Sequence, residues 1–198
     1  MPRGNRSIAD EITKGGGKMI KTKADLKSYI ARDLQLLPRK RPRLFGDECF
    51  RYLIVLRKLE YYRNKPSKNI FDKILYGYYR FRHYRQSVSR SVFIPPNTFG
   101  PGLNLFHTGT IVVNGSARIG AGCDLYSGVN IAKDCKIGNN VYIAPGAKIL
   151  PGVEIADNIR IGANAVVTKS FTDPGITIAG VPAVKISDKG TKRKVDLT

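Results

Sequence analysis

Residues 113–167 read VNGSARIGAGCDLYSGVNIAKDCKIGNNVYIAPGAKILPGVEIADNIRIGANAVV, and every sixth residue is aliphatic. The series runs Val113, Ile119, Leu125, Ile131, Ile137, Ile143, Ile149, Ile155, Ile161, Val167, with no insertion or deletion. The residue two before each of these is small or apolar, from Ile111 and Ala117 to Ile159 and Ala165. Gly, Asn, Asp, Pro and Lys fill much of the remaining space. A period of six suits neither a helix nor an alternating strand. It suits a solenoid in which each hexad makes one flat face and a corner, so that three hexads close a triangular coil. Successive coils then stack their apolar residues inward. In this register Cys123 and Cys135 point inward as small core residues.

Outward from the repeat, the chain divides into unlike regions. Residues 1–18 read as a flexible leader ending in a glycine run. Residues 19–90 read as helical. Thr22 and Asp25 have the spacing of a capping box, and Pro38 ends the helix they open. The run PRKRPR (38–43) makes a basic connection. A second helix begins near Asp47. A third carries Ile70, Ile74, Leu75, Tyr78 and Phe81 on its inner side, with an Arg- and Tyr-rich outer face. Residues 91–112, interrupted by Pro95, Pro96 and Pro101, read as a linker or a first partial coil. The solenoid domain spans 91–187, and 188–198 form a basic tail. The fold class is thus mainly β: a parallel β-helix preceded by a small α-helical region.

Charge is concentrated at the front. Residues 1–100 hold 23 Lys or Arg against 8 Asp or Glu, and residues 101–198 hold 11 against 7. A basic first half admits an anionic partner (nucleic acid, a membrane surface or a phosphorylated substrate) or a solvated surface, and charge alone does not choose. Nucleic acid is disfavoured, because the aromatics interleaved with arginine at 76–86 have helical spacing and suit packing better than base stacking. No apolar run reaches the length of a membrane span, and no apolar signal core opens the chain. Three cysteines without CxxC spacing suit a reduced, cytoplasmic protein, with a peripheral place at the inner membrane as an option that the charge leaves open.

The segments IPPNTFGPGLNLFHTGTIVVNGSARIG (94–120), NVYIAPGAKILPGVEIADNIRIGANAVVTKSF (140–171) and ITIAGVPAVKI (176–186) resemble the serine O-acetyltransferase family, in the branch associated with polysaccharide biosynthesis. The resemblance implies left-handed coils, a homotrimer and acetyl-CoA as co-substrate. It places a general base at His107, in FHTGTIVVN; imidazole is the side chain whose ordinary titration range suits that work at neutral pH. It places cofactor contacts at Ala144, Pro145 and Ala163, with Lys169 and Lys185 near the phosphates. His83, the other histidine, reads as a surface residue. By period alone, residue 107 occupies the inward register, so a buried histidine of the first coil is the competing reading.

Two departures from the family pattern stand out. Phe106 replaces the aspartate that precedes the catalytic histidine in serine acetyltransferases. The chain also runs straight through NIAKDCKIGNN (130–140), where the family carries a longer acceptor loop; its cofactor-contacting glycine would fall near Lys133. The expected function is therefore acetylation of a hydroxyl or amine on a sugar or polysaccharide precursor. Serine O-acetylation and a non-catalytic hexapeptide scaffold are the alternatives. No metal is expected, since two histidines are too few for the three-histidine zinc site of related solenoids.

Overall fold

The structure is a computed structural model that describes residues 19–37, 42–43 and 45–192. The expected leader at 1–18, most of the basic connection at 38–43 and the last six residues of the tail lie outside the described residues. Three helices precede the solenoid: α1 (Lys23–Asp33), α2 (Glu48–Asn64) and α3 (Ile70–Arg90). Thr22 and Asp25 form the expected capping box on α1, and Asn69 with Asp72 forms a second on α3. Helix α1 stops at Asp33, short of Pro38, because Leu34 leaves the helical conformation as C-cap.

From Val92 onward the chain winds as a left-handed parallel β-helix of about five turns. Its three faces are sheets built from short strands one coil apart. The first face stacks β1 (Val92–Phe93), β3 (Ile111–Val113), β6 (Asn130–Ile131), β9 (Lys148–Ile149) and β12 (Val166–Val167). The second stacks β4 (Arg118–Ile119), β7 (Lys136–Ile137) and β10 (Glu154–Ile155). The third stacks β2 (Asn104–Leu105), β5 (Asp124–Leu125), β8 (Tyr142–Ile143), β11 (Arg160–Ile161) and a closing antiparallel hairpin, β13 (Thr177–Gly180) with β14 (Ala183–Ser187). All ten aliphatics of the repeat are buried, as are Cys123 and Cys135. Their columns make one continuous core up the prism, closed by backbone bonds between coils such as Arg118 N to Cys135 O at 2.9 Å.

The first coil is complete but irregular. Its partners lie 19 to 20 residues away, with Val92 opposite Ile111 and Leu105 opposite Leu125, against 18 in every coil pairing from Val112 to Val167. The inward series begins Ile94, Phe99, Leu105, Val113, all buried. Two extra residues therefore lie between Leu105 and Val113. They displace the register, and His107 is exposed, not inward.

Helix α3 also departs from expectation. Its inner side is Tyr79, His83, Gln86 and Ser87, while Ile70, Ile74, Tyr78 and Phe81 face outward. The polar groups are satisfied where they pack: Tyr52 Oη lies 3.0 Å from His83 Nε2, and Tyr62 stacks on Tyr79. His83 is thus an interior residue between α2 and α3, and burial pushes its imidazole below the usual histidine range.

One buried ionic cluster locks the helices to the first coil. Arg57 on α2 donates to Asp33 of α1 (Nε to Oδ2, 2.7 Å), to Glu60 (2.9 Å), and to the carbonyls of Phe99 and Gly100. Asp33 accepts in turn from the backbone N–H groups of Gly102 and Leu103. All three side chains are essentially without solvent. The strand held this way runs straight into β2 and the His107 corner.

Candidate active site

Strand β2 hands the chain to an oversized corner, Phe106 to Thr110. Its entry is fixed by backbone bonds from Asn104 N to Cys123 O and from Phe106 N to Leu125 O. Its exit is fixed by Gly109 N to Arg90 O at the end of α3. Gly109 has φ +129, a conformation that few other residues adopt, and a Cβ there would press on Ser127. The corner thus has rigid ends and projects His107 outward.

His107 lines a cavity of about 570 Å³ between this corner and the start of α2, whose walls include Asp47, Glu48, Cys49 and Asn104. The N–H groups of Glu48 itself and Gly46 hold the Glu48 carboxyl below the usual carboxylate range. Burial pushes the Cys49 thiol up, so it stays protonated and is a poor nucleophile. Asn104 is buried; its Nδ2 donates to Asp124 Oδ1 at 2.6 Å, while its Oδ1 has no partner. Among the described residues, none hydrogen-bonds to His107.

An aromatic column flanks the histidine. Phe106 stacks on Tyr126 with ring centroids 4.5 Å apart and planes within 5°, and His107 tilts against the same tyrosine at 6.3 Å. Tyr126 meets Tyr142, over which the Arg160 guanidinium sits at 4.7 Å. Burial pushes the Tyr126 phenol up to about 12, so it remains a proton donor.

The sequence-selected residues fall in three places. Ala144, Pro145 and Ala163 occupy the same edge of the prism as His107: Gly146 N bonds Ser127 O, and Asn164 N bonds Pro145 O, coil upon coil. With coils about 4.8 Å apart, Pro145 and Ala163 stand roughly 10 and 14 Å along the edge from the His107 corner. Along this edge the coils stack closely: a Cβ on Gly128 would lie 3.1 Å from Gly146, the Asn164 side chain lies against Gly146, and Lys148 Nζ donates to the Gly128 carbonyl. Lys169 stands on the next edge, beside Phe171. Lys185 lies on the closing hairpin, paired with Asp188. The two lysines therefore do not share a groove. Lys133 is exposed on a regular corner, and 130–140 carries no added loop.

The repeat itself points to a family. Residues 134–169 match the model described as bacterial transferase hexapeptide (six repeats), and residues 116–145 match the hexapeptide repeat of succinyl-transferase. Together they span residues 116–169 and support a hexapeptide-repeat acyltransferase. No curated protein sequence matches it. Among solved structures, the acyltransferase is similar to serine acetyltransferase from Brucella abortus in complex with coenzyme A, at 25% identity and a TM-score of 0.62, covering 84% of this chain and 68% of that one. It is similar to the Neisseria gonorrhoeae serine acetyltransferase at 24% identity and 0.61, covering 92% and 68%. It also shares the fold of soybean serine acetyltransferase complexed with serine, at 19% identity and 0.59, covering 92% and 85%.

Sequence reasoning missed Asn104, Tyr126, Tyr142 and Arg160. Asn104, Asp124, Tyr142 and Arg160 form one outward column, signalled only by their position one residue before the inward Leu105, Leu125, Ile143 and Ile161.

Proposed function

We propose that the acyltransferase is an acetyl-CoA-dependent O-acetyltransferase with His107 as its general base. The observation that carries this is the His107 corner: an exposed imidazole, held on a rigid-ended bulge, in the wall of a cavity and on the same edge of the prism as Ala144, Pro145 and Ala163. Acetyl-CoA supplies an activated thioester carbonyl. His107 takes the proton of the acceptor hydroxyl as its oxygen attacks that carbonyl, and returns it to the departing thiol. Ala144, Pro145 and Ala163 line the pantetheine path. Lys185 is the nearer candidate for phosphate, and Lys169 would reach it only from another side. The assembly proposed is a homotrimer.

Serine is the acceptor that the similar structures favour, because those relatives are serine acetyltransferases. A sugar or polysaccharide precursor is the second reading, and one observation favours it: the parallel Phe106–Tyr126 stack beside His107 offers an aromatic face of the kind sugar rings pack on. A cytoplasmic location is part of this reading, and its three free thiols suit that reducing compartment.

The test is thiol release from acetyl-CoA with serine and with a panel of nucleotide sugars. Turnover with serine and none with sugars supports the first reading, and the reverse supports the second. His107→Asn should lower kcat by at least about a hundredfold, the usual scale of general-base loss. Turnover undiminished in that variant removes His107 from the chemistry. Light scattering at one and three chain masses tests the trimer.

A further inference from the structure

Helix α3 turns its apolar side to solvent. Ile70, Phe71, Ile74, Phe81, Tyr84 and Val88 are each more than half exposed, from 52% to 70%. At 100° per residue they form one stripe along the outer face, about 27 Å from Ile70 to Val88. Its borders are basic: Lys73 and Arg80 on one side, Arg82 on the other, with Arg85 within it. The helix has one acidic residue, Asp72, which is buried and paired with Lys65 at 2.7 Å. The outward face is therefore apolar and purely cationic.

Three occupants could cover such a face, and charge separates them. A second copy of α3 would bring four cations against four. Nucleic acid would pair the cations but leave the aliphatic and phenylalanine side chains against a phosphate backbone. An anionic bilayer satisfies both parts, with side chains at the acyl boundary and guanidinium groups among the headgroups. The net charge of +19 adds to the attraction and works against self-association through this face. We propose that α3 is an interfacial helix that docks the protein flat on a membrane rich in anionic lipid. Among the described residues no helix is long and apolar enough to cross a bilayer, so the attachment is peripheral. Since α3 ends at Arg90, whose carbonyl holds Gly109, docking orients the His107 corner relative to the lipid surface.

The experiment is cosedimentation of the full chain with sucrose-loaded vesicles of phosphatidylcholine alone or with 30 mol% phosphatidylglycerol (about that fraction gives a strongly anionic surface). Wild type should pellet with the anionic vesicles and stay in solution with the neutral ones. Ile74→Gln with Phe81→Gln should weaken partitioning about tenfold or more. Arg80→Ala with Arg85→Ala should weaken it by a similar factor, near fivefold per basic residue. All four positions are exposed, so the far-ultraviolet spectrum and Tm should stay close to wild type. No binding to anionic vesicles overturns the proposal, as does equal binding to both compositions or undiminished binding by I74Q/F81Q. If wild type instead forms a larger species that I74Q/F81Q dissolves, without vesicle binding, a second copy covers the face and the proposal fails.

Discussion

Arg57→Met should unfold the link between the helices and the first coil more than any surface change could. The substitution keeps an unbranched apolar stem and removes the guanidinium with its charge. It leaves Asp33 and Glu60 buried, at 1% and 2% exposure, and frees the carbonyls of Phe99 and Gly100. Breaking a buried ion pair from one side costs about 3–5 kcal/mol, because the remaining charge has neither water nor partner. At about 2–4 °C per kcal/mol for a chain of this size, Tm should fall by roughly 6–20 °C. The pH dependence gives a sharper test. Burial already pushes both carboxyls above the usual range, while Arg57 pulls them back. Without Arg57 the upward push is unopposed. A carboxyl whose folded pKa is raised stabilises fully below its unfolded pKa, and that contribution is lost as pH rises through the folded value. The deficit of R57M should therefore shrink between pH 7.5 and pH 5, where the orphaned carboxyls take up protons. Asp33→Asn with Glu60→Gln, added to R57M, should recover part of the loss at pH 7.5. Thermal unfolding followed by circular dichroism measures all of this. A loss under about 1 kcal/mol, or a deficit that grows as pH falls, would refute the reasoning.

Other perturbations probe the prism and its edge. Ile137→Ala empties the middle of a column between Ile119 and Ile155, where nothing can collapse inward cheaply, and should cost about 2–5 kcal/mol in urea unfolding. Gly146→Ala forces a Cβ onto φ +76 and against the Asn164 side chain; it should cost about 1–3 kcal/mol and weaken coenzyme A binding by calorimetry, since the clash lies on the edge between Pro145 and Ala163. Tyr126→Ala removes the ring beneath Phe106 and should lower kcat/KM, while Tyr126→Phe should keep most of it; equal losses would show that the hydroxyl matters more than the stack. Asn69→Ala breaks the capping box with Asp72 and should lower stability by about 1 kcal/mol, read from Tm.

The regular coils were legible because each carries its own evidence: one aliphatic per hexad, at a spacing that no other element shares. The first coil was not, though its residues are as apolar. Its inward series, Ile94, Phe99, Leu105, Val113, is spaced five, six and eight apart, and only pairing with the next coil reveals it. Extending the period back from Val113 therefore lands on His107, which the structure turns outward. The same limit applies to α3. Helical spacing correctly gave a stripe, but two stripes were available, and the one rich in Tyr, His, Gln and Ser turned inward because α2 supplies Tyr52 and Tyr62 to receive it. Hydrophobicity ranks residues, not faces; a polar face with partners already waiting can take the interior.

These failures and the candidate chemistry share a cause. A solenoid propagates because each coil offers the next the same backbone bonds and the same apolar columns, so a strict repeat has no reason to present any one side chain differently from its equivalents. His107 gains a distinct position through the two residues that break the period, which swell the corner while Leu105 and Val113 hold its ends in the core. The regular coils then do complementary work. Because 130–140 stays in register, the edge from the His107 corner to Ala163 rises coil upon coil with no inserted loop, and small residues stand on it at Gly128, Ala144, Gly146 and Ala163. On the proposed function, the acceptor pocket is built from what surrounds the bulge: Asn104 below it, the Phe106–Tyr126 stack beside it, and the start of α2 across the cavity. Acceptor choice should then respond to changes at Asn104 and Phe106, while changes at Ala163 should alter the affinity for coenzyme A and leave the ranking of acceptors as it was.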